Sequence, residues 1–373
     1  MTGGQRPRST PSDIELQTRV LLLLCYGNYI GFGYIEGVLR DSSSFCGFIR
    51  RLWRGSLIYL LPHFACPQAQ GIVFVNSADP DHNTTAPTGM YADAGWQFQG
   101  EFGVYTGTAI ADQFFITAQH FGVAGSTFVQ TASITGGLEV IYTIDAAANS
   151  GLGYWDIAGS DLRVYKINET FGSYATIFTG PSELGLEMIT FGRSAARGVA
   201  VMTGPTIHGW ETDDADGVLR WGANTVSAIT GTGAATLFSA EFNALGGPEE
   251  SALAVGDSGG GVFVFDGVNW LLAGVNYGVD GLFDVNNTLG DGSEFSAAML
   301  DAGGFFVGSD SEGWTPVPDG LADLPSSSYF SSISSNAAAI NAIITAPEPS
   351  SAFLCLLPLA TLCKRRRRGQ SDR

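Results

Sequence analysis

The serine best placed to act as a nucleophile lies in Gly256-Asp257-Ser258-Gly259-Gly260-Gly261, a glycine-rich turn that runs into the apolar segments 262–265 and 270–275. Glycines there let backbone N–H groups converge on one point, where a Cβ would obstruct the turn. A serine hydroxyl is a weak nucleophile until a base takes its proton, and an imidazole serves as that base when a carboxylate fixes its tautomer. Of the four histidines, His120 ends an alternating apolar run, while His63 lies in an N-terminal apolar segment and His82 and His208 sit in polar surroundings. A histidine after a strand is commonly structural, so its weight comes from its company. The carboxylate is then expected between His120 and Ser258. Asp161, which opens the alternating run Leu162-Arg163-Val164-Tyr165-Lys166-Ile167, is one candidate, and Asp156, before Ile157-Ala158, is its rival. Together such groups could transfer acyl groups through a serine ester.

The elements that must hold these groups read as β structure. Residues 107–111 and 114–118 flank Asp112-Gln113 and spell strand, two-residue turn, strand. The chain holds 50 glycines and only 14% charged residues, and its β-branched and aromatic residues fall in short runs between Gly, Asn, Asp and Ser. That pattern predicts a mostly β protein. Ile333, Ala337, Ile340 and Ile344 have helical spacing and predict a closing helix. At 373 residues the chain is long enough to bury a sufficient core.

In chain order, the block ending in His120, the Asp161 strand and the Ser258 loop resemble the three motif blocks of the trypsin-like serine proteases, over about residues 72–344. The resemblance favours Asp161, which stands 41 residues after His120 and 97 before Ser258. It implies an all-β, chymotrypsin-like fold: two packed antiparallel six-stranded β-barrels at right angles, with a C-terminal helix. Residues 72–345 would form this domain, the first barrel at about 72–175, the second at about 176–328 and the helix at about 329–345. The site would lie between the barrels, with His120, Asp161 and Ser258 as catalytic residues. Gly256 and Ser258 would donate to the oxyanion. Asp257 would ion-pair with a new amino terminus at Ile72. Ala252 would floor the substrate pocket and Asn276 and Gly278 would wall it; with no carboxylate at its base, small or apolar side chains should be preferred. Three positions depart from the pattern: Phe121 stands where vertebrate members have a disulfide cysteine, Gln119 replaces an alanine, and Gly261 replaces a proline. None removes a reacting group. The resemblance leaves room for a second reading, an inactive trypsin-like surface or matrix-binding module.

Charge narrows the partners. Residues 72–346 carry five Lys or Arg against 30 Asp or Glu, a net charge of about −25. A phosphate backbone would be repelled, which argues against nucleic acid, while the resemblance implies protein or peptide substrates. All five cysteines (Cys25, Cys46, Cys66, Cys355, Cys363) lie in the terminal segments. The central region must therefore hold together by packing alone. Asp280, Asp284, Asn286, Asn287, Asp291 and Glu294 could offer oxygens to Ca²⁺, but they lack EF-hand spacing and also read as an acidic surface loop. No zinc or phosphate-loop signature is present, and no cofactor is expected.

Both ends read as addresses. Arg50, Arg51 and Arg54 precede the apolar stretch Ser56–Cys66 and the small residues Ala69 and Gly71, the order of a signal peptide over 50–71. Signal peptidase would then leave Ile72 as the amino terminus, and a cut one or two residues away fits the small residues nearly as well. Residues 1–49 form an extension, read either as an over-extended start or, through the apolar run 20–25, as a membrane span. At the other end, Pro347, Glu348 and Pro349 precede 13 mostly apolar residues and the basic cluster 364–368. This 347–368 layout resembles the PEP-CTERM sorting signal of Gram-negative bacteria, followed by a tail at 369–373. It implies transient membrane anchoring, cleavage by an exosortase-type protease, and export to the cell envelope, cell surface or extracellular matrix.

Overall fold

The computed structural model describes residues 71–346, without the side chains of residues 195–196, and the backbone of a hairpin nearer the start. In that hairpin, within one unit of residues 1–65, β1 (Val20–Tyr26) pairs with β2 (Tyr29–Ile35). The apolar run 20–25 is thus a strand. Residues 50–70 of the expected signal and everything from Pro347 onward lie outside the described residues. Among the described residues no helix is long and apolar enough to cross a membrane.

In the second unit β3 (Val73–Phe74) comes first, followed by β4 (Gln99–Phe102), β5 (Tyr105–Ala111), β6 (Phe114–Ala118), β7 (Thr127–Gln130), β8 (Val140–Thr143), β9 (Tyr154–Asp156) and β10 (Leu162–Lys166). Asp112 and Gln113 make the expected turn between β5 and β6. The seven strands after β3 form an antiparallel sheet in the order β8-β7-β4-β5-β6-β10-β9. Ile144 beyond β8 bridges Ile167 beyond β10. Six strands therefore curl into a closed barrel, and the short β9 adds a seventh outside the closure.

Next come β11 (Glu187–Gly192), β12 (Ala195–Thr203), β13 (Thr206–Ala215), β14 (Arg220–Thr225), β15 (Ala228–Thr230), β16 (Leu237–Glu241) and β17 (Ser251–Ala252). The set ends with β18 (Gly261–Phe265), β19 (Trp270–Val279), β20 (Leu282–Asp284), β21 (Ala297–Met299), β22 (Phe306–Ser309), β23 (Gly313–Pro316) and β24 (Ser327–Ser332). The second large sheet runs β14-β11-β18-β19-β24-β16-β15. It too curls, bringing β14 close enough to β16 for the Asn224 amide to donate to the Glu241 carbonyl at the end of that strand (2.9 Å). Again a three-residue strand, β15, is the seventh. Smaller sheets, β12-β13-β21, β20-β22-β23 and β17-β3, flank it.

Alternation sends neighbouring residues of one strand into different cores. Phe115 on β6 fills the first barrel while Ile116 faces the seam between barrels. Val262 and Val264 on β18 fill the second barrel while Phe263 faces the seam. Both faces are buried, which is why these strands read as nearly unbroken apolar runs.

Two expected boundaries move. Ile72 and Phe74 bury in the second barrel's core, not the first, because β3 pairs with β17. Residues 327–332 form β24, with Phe330 buried, so the closing helix spans only Ala337–Ile344. Ile333 and Ile340 anchor it on the seam, both with no exposed surface.

Candidate active site

His120 lies two residues past the end of β6, and Asp161 directly precedes β10. The antiparallel register sets Leu162 opposite Ala118, so the two loops leave the sheet side by side. The Gln119 N–H donates to the Asp161 carbonyl (2.7 Å) and the His120 N–H to Asp161 Oδ1 (2.8 Å). The imidazole then reaches both ways: Nδ1 is 2.7 Å from Asp161 Oδ2 and Nε2 is 2.8 Å from Ser258 Oγ. An ionised carboxylate only accepts, so Nδ1 carries the proton toward Asp161 and Nε2 accepts from the serine hydroxyl. The structure thus joins the three residues singled out in the sequence. Asp156 is not among them; it pairs with Arg163.

Ser258 sits in the loop between β17 and β18. Gly256 adopts φ +100°, a backbone that only glycine takes without strain. Among the described residues, nothing accepts a hydrogen bond from the backbone N–H of Gly256 or of Ser258. Fully buried Asn276 pins this loop: its amide donates to the carbonyls of Phe191 (2.7 Å) and Asp257 (2.9 Å), and its backbone exchanges hydrogen bonds with Gly259 and Gly260. A Cβ on Gly260 would collide with the Phe191 carbonyl.

Asp257 points the other way, into the protein, and is 1% exposed. Burial pushes its carboxyl up from the ordinary range, and donation from Ala254, Ser194 and the Ile72 backbone N–H partly offsets that. Ile72 has φ +66°, an outlying conformation for a β-branched residue.

A cavity of about 350 Å³ beside Ser258 is lined by Leu253, Ala254, Asn276, Gly278, Leu282 and neighbouring residues. Of the expected pocket residues Asn276 and Gly278 are there. Ala252 is not: it packs against Val73 and Trp210, because its pairing in β17 turns it away from the cavity. The lining also includes Asp280, whose oxygens accept from Tyr329 Oη and the Ser327 N–H (both 2.7 Å). Burial and this carboxylate push the Tyr329 hydroxyl up to about 12. Tyr277 was not singled out in the sequence, yet its ring stands edge-on to His120, centroids 6.0 Å apart. The register of β19 slips between Asn276 and Gly278, so Tyr277 bulges toward the site, a feature that simple alternation does not reveal.

Among the described residues no group of three or more His, Cys, Asp or Glu could hold a metal ion. Within the expected acidic loop, Asn286 donates to Asp291 and Ser293 to Asp284, so it is tied by its own side chains.

The Trypsin family profile matches residues 87–288, more than half of the chain. The chain belongs to the trypsin family. At family level this is a serine-type peptidase, a hydrolase acting on protein substrates. The trypsin-family match ends before β24, although β24 lies between β19 and β16 and completes the second sheet. The chain matches no individual curated protein.

Proposed function

We propose that the chain is an exported serine endopeptidase that cleaves peptide bonds through Ser258, His120 and Asp161. The reading rests above all on the unbroken hydrogen-bonded line from Asp161 through His120 to Ser258. Ser258 Oγ attacks the scissile carbonyl as His120 Nε2 takes its proton. The oxyanion accepts from the N–H groups of Gly256 and Ser258, and His120 returns the proton to the departing amine. Water then attacks the acyl-serine and gives a proton to His120, which passes it to Oγ as the acyl–Oγ bond breaks and the carboxylic acid leaves. Asp161 holds the imidazole in the required tautomer and offsets the charge it gains.

The amino terminus completes the site. Cutting before Ile72 would turn its N–H into an ammonium facing Asp257 and free its φ angle from the strained region. Signal peptidase would therefore also activate the enzyme. The cavity beside Ser258 favours small or apolar side chains, since the oxygens of Asp280, its one carboxylate, already bind Tyr329 and Ser327. The sorting sequence at 347–368 would hold the product briefly in the membrane before an exosortase-type protease transfers it to the envelope, surface or matrix.

A nitrophenyl ester of a small apolar amino acid tests the reading. Rapid mixing should release one equivalent of nitrophenolate in a burst as the acyl-serine forms, and Ser258→Ala should abolish it. A folded chain without burst or turnover would instead favour the inactive binding module.

A further inference from the structure

We propose that Arg163, held by Asp156, is a positioning residue for His120: the two form a buried clamp on the far end of the turn that carries the imidazole. This rests on the protease reading for its kinetic consequence.

Arg163 lies on β10, two residues after Asp161, which directly precedes that strand. Asp161 fixes the start of the turn through the backbone of Gln119 and His120. Arg163 fixes its end, because Nη1 donates to the Gly122 carbonyl at 2.7 Å. Between them the turn closes on itself, the Gly122 N–H donating to the Gln119 carbonyl (2.9 Å). Asp161, just before β10, and Arg163, on it, thus grip both ends of the segment 119–122.

The guanidinium is itself held from other directions. Nε and Nη2 donate to the two oxygens of Asp156 on β9, and the group lies 4.0 Å over the ring of Tyr154. Arg163 is only 6% exposed. A charge buried this deeply persists only where its donors are matched, and the planar fork suits a carboxylate and a carbonyl at once. Phe121, inside the same turn, has no sulfur to form a covalent tie; its ring stacks on Tyr105 at 4.0 Å, nearly parallel. In the cysteine-free region the turn is held by this clamp and this stack.

The test uses the full chain with Arg163→Met, Arg163→Lys and Asp156→Ala. It reads kcat and KM on an ester substrate and the low-field proton resonance of the His120 Nδ1–H bonded to Asp161. Arg163→Met and Asp156→Ala should lower kcat on the order of a hundredfold while KM stays within about twofold, as a misplaced but intact base would. The His120 resonance should broaden or vanish in both. Arg163→Lys, which still reaches Gly122 but cannot fork, should fall between. Should Arg163→Met fail to fold, Asp156→Ala decides, since its carboxylate is partly in solvent. A folded Asp156→Ala chain with unaltered kcat and resonance would overturn the clamp. An unaltered chain without turnover would sink the protease reading alone, and the resonance would still judge the clamp.

Discussion

An imidazole shared between a carboxylate and a hydroxyl divides the work unequally among three side chains. In the proposed mechanism His120 handles the proton itself, so His120→Ala should lower kcat by roughly 10⁶-fold with KM little changed. In the same mechanism Asp161 would act through the imidazole, and Asp161→Asn should cost about 10⁴-fold because the amide favours the wrong tautomer. Steady-state kinetics on the ester substrate check both; equal losses for the two would contradict this division. Ser258 and His120 were legible in the sequence because a glycine-rich loop and a strand-ending histidine are local signals. Asp161 against Asp156 was not settled by local signal, since both precede apolar residues. The difference lies in the β6–β10 register, which sets Asp161 beside Gln119 and leaves Asp156 for Arg163. Ala252 was misplaced for the same kind of reason: counting back from Ser258 cannot show which way a two-residue strand faces.

At the level of elements, the Ser258 loop depends on a close approach between β11 and the start of β18. Gly260→Ala would drive a methyl into the Phe191 carbonyl, and overpacking of this kind costs about 1–3 kcal/mol. Thermal melts should show that loss, with activity falling further than stability because the loop must shift. The segment before β17 carries a second consequence. Burial pushes the Glu250 carboxyl up to about 7, and donation from Asn243 and Asn224 only partly offsets it. A carboxyl raised in the folded state adds stability below its unfolded value of 4.5, and that contribution is lost as pH rises through about 7. The melting temperature should therefore fall between about pH 5 and 8, and Glu250→Gln should flatten the slope. Parallel slopes would contradict the assignment. Strands were easier to foresee than their bounds: the alternation in 327–332 is short and serine-rich, so β24 was merged with the helix that begins at Ala337.

For the molecule as a whole, cohesion without sulfur is the defining constraint. Residues 71–346 contain no cysteine, and two barrel cores with a shared seam take the place of disulfides. Millimolar reductant should therefore leave both the melting temperature and the activity unchanged; a clear drop in either would show a covalent tie. The all-β class was readable from composition and the two-barrel plan from the resemblance of the three motif blocks, whereas the accessory sheets β12-β13-β21 and β20-β22-β23 join local hairpins to separated segments, β13 to β21 and β20 to β22, through pairings that no local pattern announces. The claim on which the rest depends is that Ser258 is an activated nucleophile. Labelling the mature chain with a fluorophosphonate and mapping its peptides tests that most directly. One phosphonyl group per chain is expected, on Ser258, absent from Ser258→Ala and nearly absent from His120→Ala. A folded chain that stays unlabelled, or carries the label elsewhere, would contradict it.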